Sequence, residues 1–425
     1  MAERYWLETL GCPKNQVDSD KLAGLLRAEG LLPAEGPGDA DLVVVNTCAF
    51  IEAARKESID TVLALDDERR FGSRLVVTGC MAERYGSDLA SALPEVDLVA
   101  GFGESLLARP EAVPVQLTRR PVNPGRPTDR ARLDLLELPR PPATAPWAYL
   151  KVAEGCDRAC GFCAIPSFRG RQRSRSIESV LAEVDALGAA EIVLVAQDLA
   201  SYGRDEGSPG AIHELVRRVG ERVERVRLLY LYPSELTDQL VDTILSTGVA
   251  YFDLSLQHVS RPLMRRMKRW GEGAKFLERI RTIRTLEPDA AMRSSFIVGY
   301  PGETENDHDQ LLAFVEEAQL DWAGFFAFSP EDGTYAMELD GEVDTSLVRE
   351  RLRELGELQD GITAARRDAL VGSRYEVLVD APGVARGHRE APEIDGVVMV
   401  PESLEVGSFA TVMITGAAGP DLEAA

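Results

Sequence analysis

The stretch from Trp147 to Arg175, WAYLKVAEGCDRACGFCAIPSFRGRQRSR, decides the reading of the chain. It opens as an apolar strand and then sets Cys156, Cys160 and Cys163 in one loop, four and three residues apart. That spacing lets a single loop curl three thiolates around one face of an iron–sulfur cluster. Three ligands leave one iron open to a substrate or cofactor, which a fully ligated electron carrier does not offer. A structural zinc loop normally takes four ligands, and neither a histidine nor a fourth cysteine lies near this loop in sequence.

Downstream, strands and helices alternate. Strands are expected at residues 147–153, 191–196, 225–231, 251–256, 292–299 and 323–328, with helices such as 176–187, 235–245 and 305–318 between them. Six successive strand–helix units predict an α/β domain built on a curved parallel sheet, a partial (six-unit) β/α barrel. A charged helix over 346–370 closes it. After Gly372 the texture changes to short strands at 375–379, 396–399 and 409–414, separated by Gly and Pro turns. This predicts a small all-β barrel.

Upstream, the first 120 residues repeat strand, cysteine, helix. Strands are expected at 4–10, 41–46 and 74–78 and helices at 19–28, 50–64 and 82–92, a doubly wound parallel sheet. Cys12, Cys48 and Cys80 follow the three strands, 36 and 32 residues apart, about one βαβ unit each. Strand carboxyl ends of an open parallel sheet share one crevice, so three distant thiols can converge there on a second cluster with an open iron. One such cysteine at a tight turn reads as a small buried hydrophobe, whereas three in register point to ligation. Between the two α/β regions, residues 121–146 hold seven prolines, which neither a helix interior nor a central strand accepts. A linker is expected there, with the apolar cluster Leu133 to Leu138 docking on a neighbouring domain. The expected domains are therefore 1–120, 121–146 as linker, 147–371 and 372–425.

A chain of 425 residues with 45% hydrophobic content supports several compact domains. It carries 47 basic and 70 acidic residues, a net charge of −23, which repels a phosphate backbone and favours a basic protein partner. MAERYWLETLGC lacks the basic start and apolar run of a signal peptide, and no stretch is apolar for the roughly 18 residues of a membrane span. A cytoplasmic protein with no membrane partner is expected, in which six cysteines serve metal or redox chemistry rather than disulfides.

The loop and its flanks, EGCDRACGFCAIPSFRGRQRSR, resemble the signature of radical S-adenosylmethionine (radical SAM) enzymes, and within them the methylthiotransferase branch. The start, LETLGCPKNQVDSD, is similar to the RimO group of that branch, which methylthiolates an aspartate of small-subunit ribosomal protein number twelve. The transfer-RNA group more often shows a glutamine–methionine pair after this cysteine, where Pro13-Lys14-Asn15 stands here. The resemblance spans the whole chain: an amino-terminal methylthiotransferase domain, a radical SAM domain and a TRAM barrel. It implies two 4Fe-4S clusters, one on Cys12, Cys48 and Cys80 and one on Cys156, Cys160 and Cys163, with S-adenosyl-L-methionine as cofactor. It also implies an electron donor such as flavodoxin or ferredoxin, and no acid or base of ordinary pKa suffices for the β-carbon of an aspartate.

Weaker matches concern the cofactor. Gly299 and Glu303, in FIVGYPGE, resemble the strand-end segment that packs on the adenine, although a Pro-Gly turn also occurs without a ligand. Gln197 and Asp198 stand where many members carry a Gly-Gly-Glu turn for the cofactor amine. Gln257 and His258 end another strand on the face where barrels host chemistry, and a structural histidine is the competing reading. From Ser373 to Ala425 nine acidic residues face three basic ones, a net of −6, which disfavours RNA as the direct substrate. Against this stand two basic runs, Arg169, Arg171, Arg173 and Arg175, and Arg265, Arg266, Lys268 and Arg269. They suit phosphate, a substrate carboxylate or the protein's own acids. The alternatives carried forward are a transfer-RNA adenosine methylthiotransferase and a non-enzymatic two-cluster electron carrier.

Overall fold

A computed structural model describes residues 2–108 and 133–425. The chain divides into two compact units, one ending at Pro141 and the other beginning at Pro142. Residues 121–132 of the expected linker lie outside the described residues.

The first unit runs β1 (Arg4–Thr9), α1 (Pro13–Ala28), β2 (Leu32–Pro33), β3 (Leu42–Thr47), α2 (Glu52–Glu68), β4 (Arg74–Gly79), α3 (Cys80–Ala92) and β5 (Leu98–Val99). Its five strands are parallel in the order β2-β1-β3-β4-β5. The β-branched run of β3, LVVVNT, is buried along its whole length, as a strand covered on both faces must be. Helix α1 starts at Pro13, six residues before the expected start, because proline is preorganised for the first helical position. Leu135 joins the core of this unit beside Tyr5, Leu22, Leu42 and Val76. Next to it the buried Lys21 ammonium donates to the Leu136 carbonyl at 2.6 Å.

The second unit continues with β6 (Trp147–Lys151), β7 (Ala153–Glu154), α4 (Ile165–Arg169), β8 (Arg173–Ser174), α5 (Ile177–Leu187), β9 (Glu191–Val195), α6 (Ala211–Gly220), β10 (Arg225–Leu228), α7 (Asp238–Leu245), β11 (Tyr251–Gln257), α8 (Arg261–Arg266), α9 (Gly273–Leu286), β12 (Ala291–Val298), α10 (Glu305–Ala318), β13 (Trp322–Ala327) and α11 (Thr345–Asp368). Two three-stranded parallel sheets, β10-β9-β6 and β11-β12-β13, are joined by a parallel bridge between Leu231 and Leu254. The result is the expected six-strand partial barrel, with one continuous apolar core from Ala148 to Ile362. The chain ends in β14 (Arg374–Ala381), β15 (Val384–Arg386), β16 (Val398–Met399), β17 (Phe409–Ala418) and β18 (Asp421–Ala424), a closed barrel. Strands β15 and β18 were not legible in the sequence, being three and four residues long.

Residues 386–395 of the small barrel lie against the amino-terminal ends of the large barrel's strands. Arg227 and Glu191 pair there at 2.8 Å, both fully buried, and Arg227 also donates to the His388 carbonyl at 2.8 Å. Tyr251 donates to Asp395 at 2.6 Å, Tyr149 to the Pro392 carbonyl at 2.7 Å and Trp322 to the Arg389 carbonyl at 2.7 Å. That end of the barrel is filled by structural ion pairs and hydrogen bonds, so chemistry falls to the carboxyl ends of the strands.

Candidate iron–sulfur and cofactor sites

In the first unit, register brings the three cysteine loops level. Thr9 faces Asn46 across β1 and β3, and Asn46 faces Thr78 across β3 and β4. Cys12, Cys48 and Cys80 each lie within three residues of these strand ends. The order β2-β1-β3-β4-β5 reverses direction between β1 and β3, the point at which such sheets bind ligands. A Cβ on Gly11 would stand 2.8 Å from the Cys48 Cβ, so the Cys12 and Cys48 loops touch. Gly79 has φ +90° and a Cβ there would meet the Asn46 Oδ1 at 2.3 Å, so only glycine fits before Cys80. Cys12 caps α1 and Cys80 is the first residue of α3. The positive end of a helix dipole favours thiolate at both.

Asn15 ties these loops together. Its buried amide donates to the Leu10 carbonyl at 2.9 Å and to the Thr47 carbonyl at 3.1 Å, while the Cys80 thiol lies 3.5 Å from its Oδ1. Nothing in composition marks this residue; its place three positions after Cys12 is the one available signal.

In the second unit, the antiparallel pair β7 and β8 closes the cysteine loop at its base. Cys156 N–H donates to the Gly170 carbonyl at 3.1 Å. A Cβ on Gly155, at φ +78°, would stand 2.2 Å from the Arg171 carbonyl oxygen, so glycine is required here too. The loop's middle is clamped by Gly161 N–H on the Met267 carbonyl and by Ala336 N–H on the Gly161 carbonyl, both 2.8 Å. Two sulfurs receive N–H donors: Cys156 from Arg158 N–H at 3.4 Å, and Cys160 from the Arg269 guanidinium at 3.2 Å. Burial pushes the Cys156 thiol up to about 11 and the Cys163 thiol up to about 12. Metal coordination overrides this by deprotonating a ligating thiol outright.

Among the described residues no group of three or more His, Cys, Asp or Glu is close enough to hold one ion. Two sets of three soft sulfur donors on glycine-cleared loops, the second also with N–H groups aimed at sulfur, fit cysteine-ligated iron–sulfur groups.

Around the second loop, Glu154 is a half-buried hub accepting from Lys151 at 2.6 Å, Arg169 at 2.8 Å and Gln197 at 2.8 Å. Burial opposes its charge, but Arg169 and Lys151 hold the carboxyl well below the usual carboxylate range. Asp198 accepts from Arg158 at 2.6 Å and from Ser201 at 2.8 Å. Gln197 Oε1 and Asp198 Oδ1 are buried and meet no donor among the described residues. Gln257 sits at φ +71° at the end of β11, a conformation uncommon for a side-chain-bearing residue. His258 is fully buried, and burial lowers it to about 4. Its Nδ1 accepts from Ser260 N–H at 3.1 Å, so the proton of the neutral ring is on Nε2, which meets no acceptor among the described residues. Both oxygens of Glu303 are engaged, one by Gly299 N–H at 2.5 Å and one by Arg351 at 2.9 Å, so this carboxylate braces the Gly299–Gly302 turn.

Most of the two basic runs are consumed internally. Arg175 pairs with Glu183 at 2.7 Å, Arg171 with Asp157 at 3.2 Å and Arg266 with Asp340, while Lys268 lies 3.5 Å over the Tyr335 ring. The small barrel's surface is more one-sided than its composition. Arg386 and Arg389 are buried in ion pairs, leaving Arg374 exposed among Glu376, Glu393, Glu402, Glu405 and Glu423.

Three family profiles match the chain: the uncharacterized protein family UPF0004 over residues 4–101, the radical SAM superfamily over 150–315 and the TRAM domain over 371–425. Among curated relatives, the ribosomal protein uS12 methylthiotransferase RimO of Saccharopolyspora erythraea is 41% identical, covering 99% of this chain and 94% of that protein. RimO of Moorella thermoacetica is 42% identical over 96% of this chain and 95% of its own length. That of Cutibacterium acnes is 40% identical, over 98% and 97%. The domain order, the partial radical SAM barrel and full-length similarity agree: the chain is a radical SAM methylthiotransferase and belongs to the RimO family.

Proposed function

We propose that this enzyme adds a methylthio group to the β-carbon of an aspartate in small-subunit ribosomal protein number twelve, uS12, free or on the ribosome. The observation that carries the substrate choice is the exposed charge of the small barrel, where five exposed carboxylates, one of them paired with Arg225 at 2.9 Å, outnumber one exposed arginine. Such a surface attracts a basic ribosomal protein and repels RNA phosphates. The relatives named for uS12 support the same choice.

In this reading Cys12, Cys48 and Cys80 hold one 4Fe-4S cluster and Cys156, Cys160 and Cys163 the other. When bound, the second cluster and S-adenosylmethionine supply one-electron chemistry able to take hydrogen from an unactivated C–H bond. The chain's own residues orient and shelter. Gln197 Oε1 and Asp198 Oδ1 offer buried acceptors for the cofactor amine, and the turn braced by Glu303 lets backbone approach the adenine. His258, neutral across the physiological range, presents an N–H donor with no proton to gain or lose. A low-potential donor such as flavodoxin or ferredoxin delivers the electron. Among the described residues no helix is long and apolar enough to cross a membrane, and a ribosomal substrate supports a cytoplasmic setting for the reaction.

Anaerobic reconstitution followed by turnover with S-adenosylmethionine, the ribosomal protein and bulk transfer RNA tests this. Mass spectrometry should find one methylthio group on an aspartate of the ribosomal protein; methylthio incorporation into RNA alone overturns the substrate assignment.

A further inference from the structure

Two arginines crowd the cysteine loop of the second unit, and their charges are disposed differently. Arg158 lies 4.0 Å from the centre of the Tyr232 ring and is neutralised by Asp198 at 2.6 Å and Glu235 at 2.9 Å. Arg269 lies 4.1 Å from the centre of the same ring. Its other contacts are the Cys160 sulfur at 3.2 Å and the Ser255 carbonyl on β11. Among the described residues it has no carboxylate partner, so its positive charge is spent on a cysteine sulfur.

The backbone fixes this arrangement. Helix α8 ends with Lys268 N–H on the Arg265 carbonyl at 3.0 Å and Arg269 N–H on the Met264 carbonyl at 2.8 Å. This is the Schellman pattern, whose left-handed position usually holds glycine. Here it holds Lys268 at φ +52°. The same helix end receives Gly161 N–H on the Met267 carbonyl at 2.8 Å, so α8 grips the cysteine loop by both backbone and sulfur. The ring below and the carbonyl beyond prevent the guanidinium from swinging away.

We propose that Arg269 is a positioning residue that raises the potential at which the second cluster accepts an electron. A cation hydrogen-bonded to a ligand sulfur stabilises the reduced, more negative cluster over the oxidised one. One electron enters from the external donor, and no proton or bond at Arg269 changes. The inference rests on the reading that Cys156, Cys160 and Cys163 hold a cluster.

The test is a reductive titration, followed by electron paramagnetic resonance, of the reconstituted full-length wild type, Arg269→Gln and Arg269→Lys. The signal that shifts on adding S-adenosylmethionine identifies the second cluster. Iron per chain is measured in parallel. In Arg269→Gln the reduced-to-oxidised ratio at a fixed donor potential should fall about tenfold, a downward shift of about 59 mV. Arg269→Lys, which keeps the charge and loses the planar fork, should fall by less. Full iron with an unchanged midpoint in Arg269→Gln overturns the proposal. So does iron loss in Arg269→Gln while Arg269→Lys titrates like wild type, which marks a structural role. If changing Cys156, Cys160 and Cys163 to alanine leaves the iron count intact, the cluster reading itself fails.

Discussion

The two sets of three cysteines reach similar donor sets by opposite routes. Cys156, Cys160 and Cys163 lie within eight residues on one loop, closed at its base by a two-strand pair and gripped by the end of α8. Cys12, Cys48 and Cys80 come from three loops that only sheet register aligns, with Asn15 as the shared hydrogen-bonding post. The local site therefore depends on a few backbone contacts, and the dispersed site on the integrity of a whole sheet. Their responses to substitution should differ accordingly.

The largest effect separates the two sites by chemistry. Alanine at Cys156, Cys160 and Cys163 should abolish both S-adenosylmethionine cleavage and methylthio transfer. Alanine at Cys12, Cys48 and Cys80 should abolish transfer while reductive cleavage to 5′-deoxyadenosine persists, which chromatography of the nucleoside products can check. Equal loss of cleavage in both variants would break the comparison.

Gly155→Ala comes next. Its Cβ would collide with the Arg171 carbonyl at 2.2 Å, and positive φ adds roughly 1–2 kcal/mol of strain. Iron should be lost from the local site alone. Asn15→Ala sharpens the contrast from the other side. It strips donors from two backbone carbonyls, at about 1–3 kcal/mol, and should reduce iron at the dispersed site while the S-adenosylmethionine-responsive signal stays. Uniform iron loss in Asn15→Ala would show that the two sites are not independent.

The smallest effect at neutral pH belongs to His258. Its folded pKa of about 4 lies below the ordinary 6.5, so between these values the unfolded chain binds the proton and the folded one does not. Stability from this group is complete above about pH 6.5 and declines as pH falls toward 4, by about 3 kcal/mol in total. Denaturant titrations of wild type and His258→Gln should differ in slope across that window and run parallel above pH 7. A parallel course throughout would place His258 in water rather than in the barrel core.

Much of the fold is legible in the sequence. The six barrel strands fall where the apolar runs after Trp147 place them, because a parallel strand buried on both faces writes itself as a continuous apolar stretch. The level cysteines of the first unit followed from one-unit spacing. Short strands such as β15 and β18 carry too few residues for periodicity to register, and the start of α1 at Pro13 was masked by the polar residues before Ser19. The long-range partners were hidden for a different reason. Arg269 reaches Cys160 across 109 residues and Asn15 reaches Cys80 across 65, and no local pattern encodes such pairs. Likewise the acidic count of the small barrel was readable, while the burial of Arg386 and Arg389, which leaves its surface more acidic than its sequence, was not.

Iron and acid-labile sulfide per chain, measured on anaerobically reconstituted wild type and on the two triple-alanine variants, test the central claim most directly. Two independent four-iron centres predict about eight irons for wild type and about four for each variant. About four irons in wild type, or a variant that keeps the wild-type count, would contradict the account.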